Sequence, residues 1–340
     1  MLLSLFCGAG GLDLGFERAG FEVGAAFDNR SDSISSYNHN RTVTRGYCRD
    51  VTQLTPEMLD ELWGGPFEPV GVVGGPPCQS FSMANRTFYE ADPRHFLPLA
   101  YAKLLKQLNS RKPVNFFVLE NVTGLASPQH RHRLRELKAA LRDDGFAVSN
   151  ATLNAVDFRT PQNRTRLFLV GLNVGLFNGL RWRRPRPTTR RGDDITVRGA
   201  IGGLEEPVRF LPNLDPGTFP HHRNHWCMRP KSKKFTTEGA LVPGNGHHRS
   251  FKTLSWSSPS PTVAYGHREV HVHPDCRRRL SVFEALRLQG FPDTYELLGT
   301  LSSQITQVSE AVPPALAEAV ATSLIDQMKS VVCQQRDLAA

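Results

Sequence analysis

Five short apolar runs set the tightest limit on the fold: LLSLF at 2–6, VGAAF at 23–27, VGVVGG at 70–75, FFVLE at 116–120 and RLFLVG at 166–171. Each is too short for a buried helix and too continuously apolar for a strand with one wet face. Strands covered on both sides fit this pattern. Longer amphipathic stretches separate the runs, and Ala100 to Leu108 and Leu134 to Leu141 carry apolar residues at helical spacing. Strands alternating with covering helices predict an α/β fold with a doubly wound, mostly parallel sheet. Around Trp182 the texture changes to Pro-Arg clusters, repeated Pro and Gly, and strand-like pieces such as TVAYGH and REVHVH. A loop-rich region with little helix is expected there. Helical spacing returns in SVFEALRLQ from Ser281 and again at 315–328, after Pro313-Pro314. The chain therefore divides into an α/β domain at 1–174, a smaller irregular domain at 175–278, and helices at 279–340 that return to the first domain.

Charge follows the same division. The chain holds 41 Lys and Arg against 32 Asp and Glu, and residues 181–279 hold 19 against 8, with 8 of the 12 histidines. Concentrated positive charge suits a polyphosphate partner, whose condensed counterions are released as phosphates are neutralised. A solvated surface is the alternative reading. Six cysteines without a C-x-x-C pair give no disulfide framework and point to a reducing cytoplasm. No run approaches the roughly 18 apolar residues that span a bilayer, and the first residues lack the basic segment of a signal peptide. No membrane partner is expected. The groups His221, His222, His225, Cys227 and His271, His273, Cys276 match no finger or ribbon spacing, so no metal is expected.

LLSLFCGAGGLDLGFERAG reads as strand, Gly-rich turn and amphipathic helix, with Gly8, Gly10 and Gly11 leaving room for a ligand beside the backbone. The next strand ends at Asp28, where an acid could bond the ribose of a nucleoside cofactor. Alone, this loop is open to a nicotinamide enzyme, a flavin enzyme, a methyltransferase or a mere tight turn. GVVGGPPCQSFS then projects Cys78 from a stiff strand end, a poor place for core packing and a good one for a nucleophile. FFVLENV delivers Glu120 to the same edge, where desolvation raises its pKa. PQNRTRLF places Arg164 and Arg166 on one face of an extended segment.

FCGAGG, GGPPCQSFS, ENV, PQNRTR and LSVFEALRLQGFPD, in this order and over essentially the whole chain, resemble the DNA (cytosine-5) methyltransferases that use S-adenosylmethionine. Among these, the chain is most similar to the bacterial restriction-modification enzymes. The resemblance implies a Rossmann-like catalytic domain, with target recognition in the basic insertion. It further implies methyl transfer to carbon-5 of a cytosine flipped out of double-stranded DNA, through a covalent adduct of Cys78 with carbon-6. Glu120 would hydrogen-bond ring nitrogen 3 and the exocyclic amine, Arg164 would hold the base's carbonyl oxygen, and Arg166 would support the glutamate or the cysteine loop. Phe6, Gly8, Ala9, Gly10, Gly11, Pro77 and Leu97 fall on cofactor contacts, Asp28 on the ribose acid, and Asp50 on the acid reading the adenine amino group. Residues 79–95, with Arg86 and Arg94, would close over the base. A cognate restriction endonuclease would share the site without needing to bind, and a monomer in a bacterial cytoplasm is expected. Asn29 stands where the family usually has an aromatic residue stacked on adenine, Ser309-Glu310 where it usually has Gly-Asn, and Phe283 where arginine is common. A transfer-RNA methylating branch and a catalytically silent DNA-binding relative are the alternatives. The large basic insertion argues against the first, and the intact PPCQ, ENV and arginine pair against the second.

Overall fold

Strand and helix alternate from the first residues of the computed structural model, which describes residues 1–77, 96–245, 250–262 and 271–339. In order come β1 (Leu2–Leu5), α1 (Gly11–Arg18), β2 (Val23–Asp28), α2 (Ser31–His39), β3 (Arg45–Cys48), α3 (Pro56–Trp63), β4 (Gly71–Gly74) and α4 (Leu97–Arg111). There follow β5 (Phe116–Asn121), α5 (Arg131–Asp143), β6 (Phe146–Asn154), the two-residue β7 (Gln162–Asn163) and β8 (Thr165–Asn173). One seven-stranded sheet runs β3-β2-β1-β4-β5-β8-β6. Its neighbours pair parallel except β8, which is antiparallel to both β5 and β6. The doubly wound α/β class expected from the apolar runs is the one observed. The runs themselves became β1, β2, β4, β5 and β8.

Successive strand residues point to opposite faces, which sorts the core into two layers. Leu3, Leu5, Phe117, Leu119, Leu167 and Leu169 pack on the side of α3, α4 and α5. Leu2, Val73, Phe116, Val118, Phe168 and Val170 face the other side, where α1 lies with α9 (Pro314–Ala339). Leu316, Ala317, Val320, Ala321 and Leu324 recur at helical spacing and are fully buried there. The two helices meet closely because Gly15 has no side chain: a Cβ on it would stand 2.4 Å from the Pro314 carbonyl oxygen. Trp182 anchors the chain leaving β8 to this layer, its Nε1 donating to Ser323 Oγ at 2.9 Å.

Regular structure thins out after β8. The described residues contain α6 (Val197–Ile201) and two-residue strands that pair Val208–Arg209 with Trp226–Cys227, Lys252–Thr253 with His271–Val272, and Ser260–Pro261 with β7. Of the strand-like pieces read near 262–273, Thr262 and His271–His273 fall on described residues, and His271–Val272 forms a strand. Then come α7 (Val282–Leu288) and α8 (Leu301–Glu310). A third core joins Val197, Ile201, Trp226 and Leu254 to Leu280, Val282, Leu286 and Leu301, and reaches Ala9 in the glycine turn. Burial is therefore continuous across residue 278. α7 begins with a capping box between Ser281 and Glu284. The Glu284 carboxylate also takes a bidentate bond from Arg278, at 2.9 and 2.8 Å. No helix among the described residues is long and apolar enough to cross a membrane.

Candidate active site

β1 and β4 are neighbours, and the chain winds away from them in opposite directions. At such a switch point a crevice opens beyond the carboxyl ends of the strands. β1 ends in a tight turn in which Phe6 (φ 56°), Gly8 (φ 54°) and Gly10 (φ 86°) are left-handed. Phe6 is the unusual member, since a bulky residue holds this conformation only when its surroundings fix it. A Cβ on Gly8 would meet nothing within 4 Å, so space lies open beside the backbone there. Gly11 is different: a Cβ on it would stand 2.3 Å from the Val312 carbonyl oxygen, against the α8–α9 connection. Ala9 is buried, and its carbonyl accepts from the Tyr295 hydroxyl.

Asp28, at the end of β2, is buried and turned to this loop. Its Oδ2 accepts from the Gly8 N–H at 3.0 Å, and its Oδ1 from the Arg30 N–H at 2.9 Å. The Asp28 carbonyl accepts from the Arg49 N–H at 2.9 Å, which brings Asp50 to the same edge. Asp50 is exposed and caps a short 3-10 turn, its Oδ1 accepting from both Thr52 N and Thr52 Oγ1. Beneath the loop lies a polar network whose Asp13, Glu17 and Arg41 the sequence reading did not single out. Asp13 is fully buried and accepts from Ser4 Oγ at 2.7 Å and Tyr37 OH at 2.8 Å. Burial pushes its pKa up to about 6. Arg41 stacks over the Tyr37 ring, pairs with Glu17 at 2.9 Å and donates to the Gly10 carbonyl at 3.1 Å. Cys7 is buried among these groups; desolvation, then the carboxylates of Asp13 and Asp28, hold its thiol protonated.

β4 ends in Gly74-Gly75-Pro76-Pro77, directly beside the end of β5. A Cβ on Gly75 would stand 3.1 Å from Glu120 Oε2, so the turn packs on the carboxylate itself. Asn121, fully buried, donates from Nδ2 to the Pro76 carbonyl at 3.3 Å and ties the two strand ends together. Pro77 is partly exposed at the lip. Cys78, the expected nucleophile, lies outside the described residues, as does the expected closing loop at 79–95. Leu97 opens α4 and is half-buried.

Glu120 is 8% exposed, and Arg166 Nε stands 3.0 Å from its Oε1. Desolvation raises the Glu120 pKa, and Arg166 followed by Arg164 partly offset that rise. Both arginines therefore act on the glutamate, Arg166 by direct contact. The Arg164 N–H turns back to the Gln162 carbonyl at 3.0 Å, a tight bend that interrupts the extended run before β8 begins. Arg164 is 1% exposed, and its guanidinium clamps the end of α8, donating to the carbonyls of Ser309 at 2.8 Å and Glu310 at 3.3 Å. A cation at a helix carboxyl end satisfies orphan carbonyls and the helix dipole. Arg166 is the arginine in contact with the glutamate carboxylate.

In the basic region, His225 bridges Ser281 Oγ at 2.9 Å and the Glu205 carbonyl at 2.8 Å, and burial pushes the Cys227 thiol up to about 11. Among the described residues no three His, Cys, Asp or Glu side chains gather as a metal site. Phe283, at the place where arginine is common, stacks on His222 with ring centroids 4.0 Å apart.

A mostly parallel sheet whose carboxyl edge gathers a glycine turn, a Pro-Pro turn, a buried glutamate and its arginine has the frame of a Rossmann-like enzyme. The chain belongs to the C-5 cytosine-specific DNA methylase family, whose pattern matches residues 1–326. It is a DNA cytosine methyltransferase, as its motifs imply. Type II methyltransferase M.MthTI of Methanothermobacter thermautotrophicus is 32% identical over 353 residues, covering 97% of this chain and 98% of that protein. M.NmeDI of Neisseria meningitidis serogroup C, another Type II methyltransferase, is 30% identical over 355 residues, covering 95% and 83%. A solved prophage protein of E. coli, assigned as a DNA modification methyltransferase, shares the fold with a TM-score of 0.73 at 23% identity, over 96% of this chain and 99% of that one.

Proposed function

We propose that this enzyme carries a methyl group from S-adenosylmethionine to carbon-5 of a cytosine flipped out of a specific double-stranded DNA sequence, as the modification half of a Type II restriction-modification pair. The observation that carries the reading is the buried Glu120–Arg166 pair, with the Gly75-Pro76-Pro77 turn packed against it and running straight into Cys78. The names of the curated relatives support the restriction-modification role.

The residues present fit the cofactor. Open space beside Gly8, and a buried Asp28 with lone pairs left for ribose hydroxyls, are what a nucleoside needs. Phe6, Gly8, Ala9, Gly10, Gly11, Pro77 and Leu97 shape its crevice, and Asp50 reads the adenine amine. When bound, the cofactor supplies an electrophilic methyl group. The chain's own residues do the rest. The Cys78 thiolate attacks carbon-6 and forms a sulfur–carbon bond, and the electron pair of the 5,6 double bond makes carbon-5 nucleophilic. Glu120 hydrogen-bonds nitrogen 3 and the exocyclic amine, stabilising the charge that develops there. Arg166 fixes the carboxylate and is the arginine available to the base's carbonyl oxygen; Arg164 holds the α8–α9 connection. After carbon-5 gains the methyl group its proton leaves to water, the sulfur–carbon bond breaks, and the ring regains aromaticity with Cys78 free.

DNA lies between the catalytic part, 1–174 with 279–340, and the recognition part, 175–278. Arg181, Arg183, Arg184, Arg186, Arg190 and Arg191 are exposed and meet phosphates. One flipped base per turnover needs one active site, so a monomer suffices, and the endonuclease partner shares the sequence without binding.

The test is transfer of labelled methyl groups to duplex DNA by wild type and Cys78→Ser. Label on cytosine carbon-5 that disappears in the variant is the expected result. Label on transfer RNA alone would move the substrate to RNA, and DNA binding without label would mean a silent relative.

A further inference from the structure

Arg30 reaches from the end of β2 to the end of α8, where its Nη2 meets Glu310 Oε2 at 2.5 Å. On the way its Nε passes 3.9 Å from Asp28 Oδ1, the oxygen to which its own N–H is bonded. Both side chains of the pair are open to solvent, 37% for Arg30 and 45% for Glu310. Such a pair contributes only ~0–1 kcal/mol to stability. Yet the main chain of Glu310 is braced from within by Arg164, which bonds the carbonyls of Ser309 and Glu310. Asn29, between Asp28 and Arg30, is exposed. The result is a planar cation, fixed along one edge, alongside the carboxylate that would take the ribose.

We propose that Arg30 contacts the nucleoside half of S-adenosylmethionine, laying its guanidinium plane on the adenine, and that Glu310 is the positioning residue that holds it there. The inference rests on the cofactor reading above. Guanidinium planes stack on purines, a contact that lysine cannot reproduce. Adenine is joined to the ribose, so a residue beside the ribose acid is within reach of the base. An arginine already held by Glu310 loses little further freedom on stacking. The nucleoside is common to the cofactor and to its demethylated product, so both benefit alike.

The test is titration calorimetry of the full chain with S-adenosylmethionine and S-adenosylhomocysteine, for wild type, Arg30→Ala, Arg30→Lys, Glu310→Gln and Asp28→Asn. Arg30→Ala is expected to weaken both ligands about tenfold, the scale of one stacking contact, with their ratio unchanged. Arg30→Lys, which retains the charge for Glu310 but has no plane, is expected to fall with it, and Glu310→Gln to lie between. Lysine binding as well as wild type would reduce the pair to an ordinary ion bridge and overturn the proposal. So would a loss confined to S-adenosylmethionine, which would put Arg30 at the sulfonium. Wild-type affinity in every Arg30 and Glu310 variant, with binding lost in Asp28→Asn, would overturn this inference alone. A wild type that binds neither ligand, or an Asp28→Asn that binds both normally, would bring down the cofactor reading and this inference with it. Thermal melting of each variant, the buried Asp28→Asn included, checks that the fold is intact.

Discussion

Glu120 stands between opposed influences: burial raises its pKa, and the neighbouring arginines pull it back down. The net direction is upward, so the carboxyl holds its proton more firmly than an ordinary glutamate, which suits the proposed bond to a ring nitrogen. Glu120→Gln keeps the shape but loses the charge that Arg166 grips. Methyl transfer is expected to fall about 10²–10³-fold, the usual cost of one such electrostatic donor, while cofactor affinity by calorimetry stays near wild type. Equal turnover by the two forms would remove Glu120 from the chemistry. At this scale the sequence announced the glutamate, because an acid at the end of a wholly apolar run has few reasons to be there. It gave no sign of Arg164's grip on Ser309 and Glu310, because those carbonyls lie far along the chain. The bend from Gln162 to Arg164 has no glycine or proline at its centre to signal it. Asn121, which ties β5 to the Pro76 carbonyl, was readable only as part of ENV. Its bond depends on which strands are neighbours, and local sequence does not carry that.

Among the elements, α1 is held from both sides. Beneath it, Asp13 accepts from β1 through Ser4 and from α2 through Tyr37. Its pKa is raised from the ordinary 3.8 to about 6, so the folded chain retains a proton that the unfolded chain loses between those values. The stability linked to this group is thus fully present below about pH 4 and is lost as pH rises through 6, by about 3 kcal/mol. Denaturant titrations from pH 4 to 8 should show this decline in wild type and a flatter curve in Asp13→Asn; parallel curves would contradict it. On its other side α1 meets α9 at Gly15. Alanine there gains up to ~1 kcal/mol in helix propensity but drives a methyl group into the Pro314 carbonyl and Ala317. A net loss of about 1–3 kcal/mol is expected on melting, with Gly65→Ala, where a Cβ meets nothing within 4 Å, as the mild control. The five apolar strands were plain in the sequence because burial on two faces leaves no polar positions. β6 was not, because FAVSNATLN lies at the sheet edge and, after three buried residues, its middle is only half-buried or exposed. Polar residues among those positions break the continuous apolar run that marks the inner strands.

For the whole molecule, the sum of positive charge overstates what is offered to DNA. Arg278 is buried and committed to Glu284, whereas the arginines from Arg181 to Arg191 are exposed. Alanine at an exposed arginine that meets a phosphate is expected to shallow the plot of log affinity against log salt by about 0.9. Alanine at Arg278 leaves that slope unchanged and costs about 3–5 kcal/mol of stability, because it strands a buried carboxylate. Fluorescence anisotropy over a salt series, with melting curves alongside, separates the two; a changed slope for Arg278→Ala would refute the distinction. The basic block was legible as charge, while its division into paired and available cations depends on partners far along the chain. The seating of α9 on α1 also bears on how the enzyme is made. One face of the central strands, with Leu2, Val73 and Phe116, is closed by Leu316, Val320 and Leu324. On the ribosome that face stays uncovered until the residues beyond Pro314 have emerged. A polypeptide still in synthesis carries the strands but not the cover on this face, so the packed sheet is completed by α9 at a single step rather than growing with the chain.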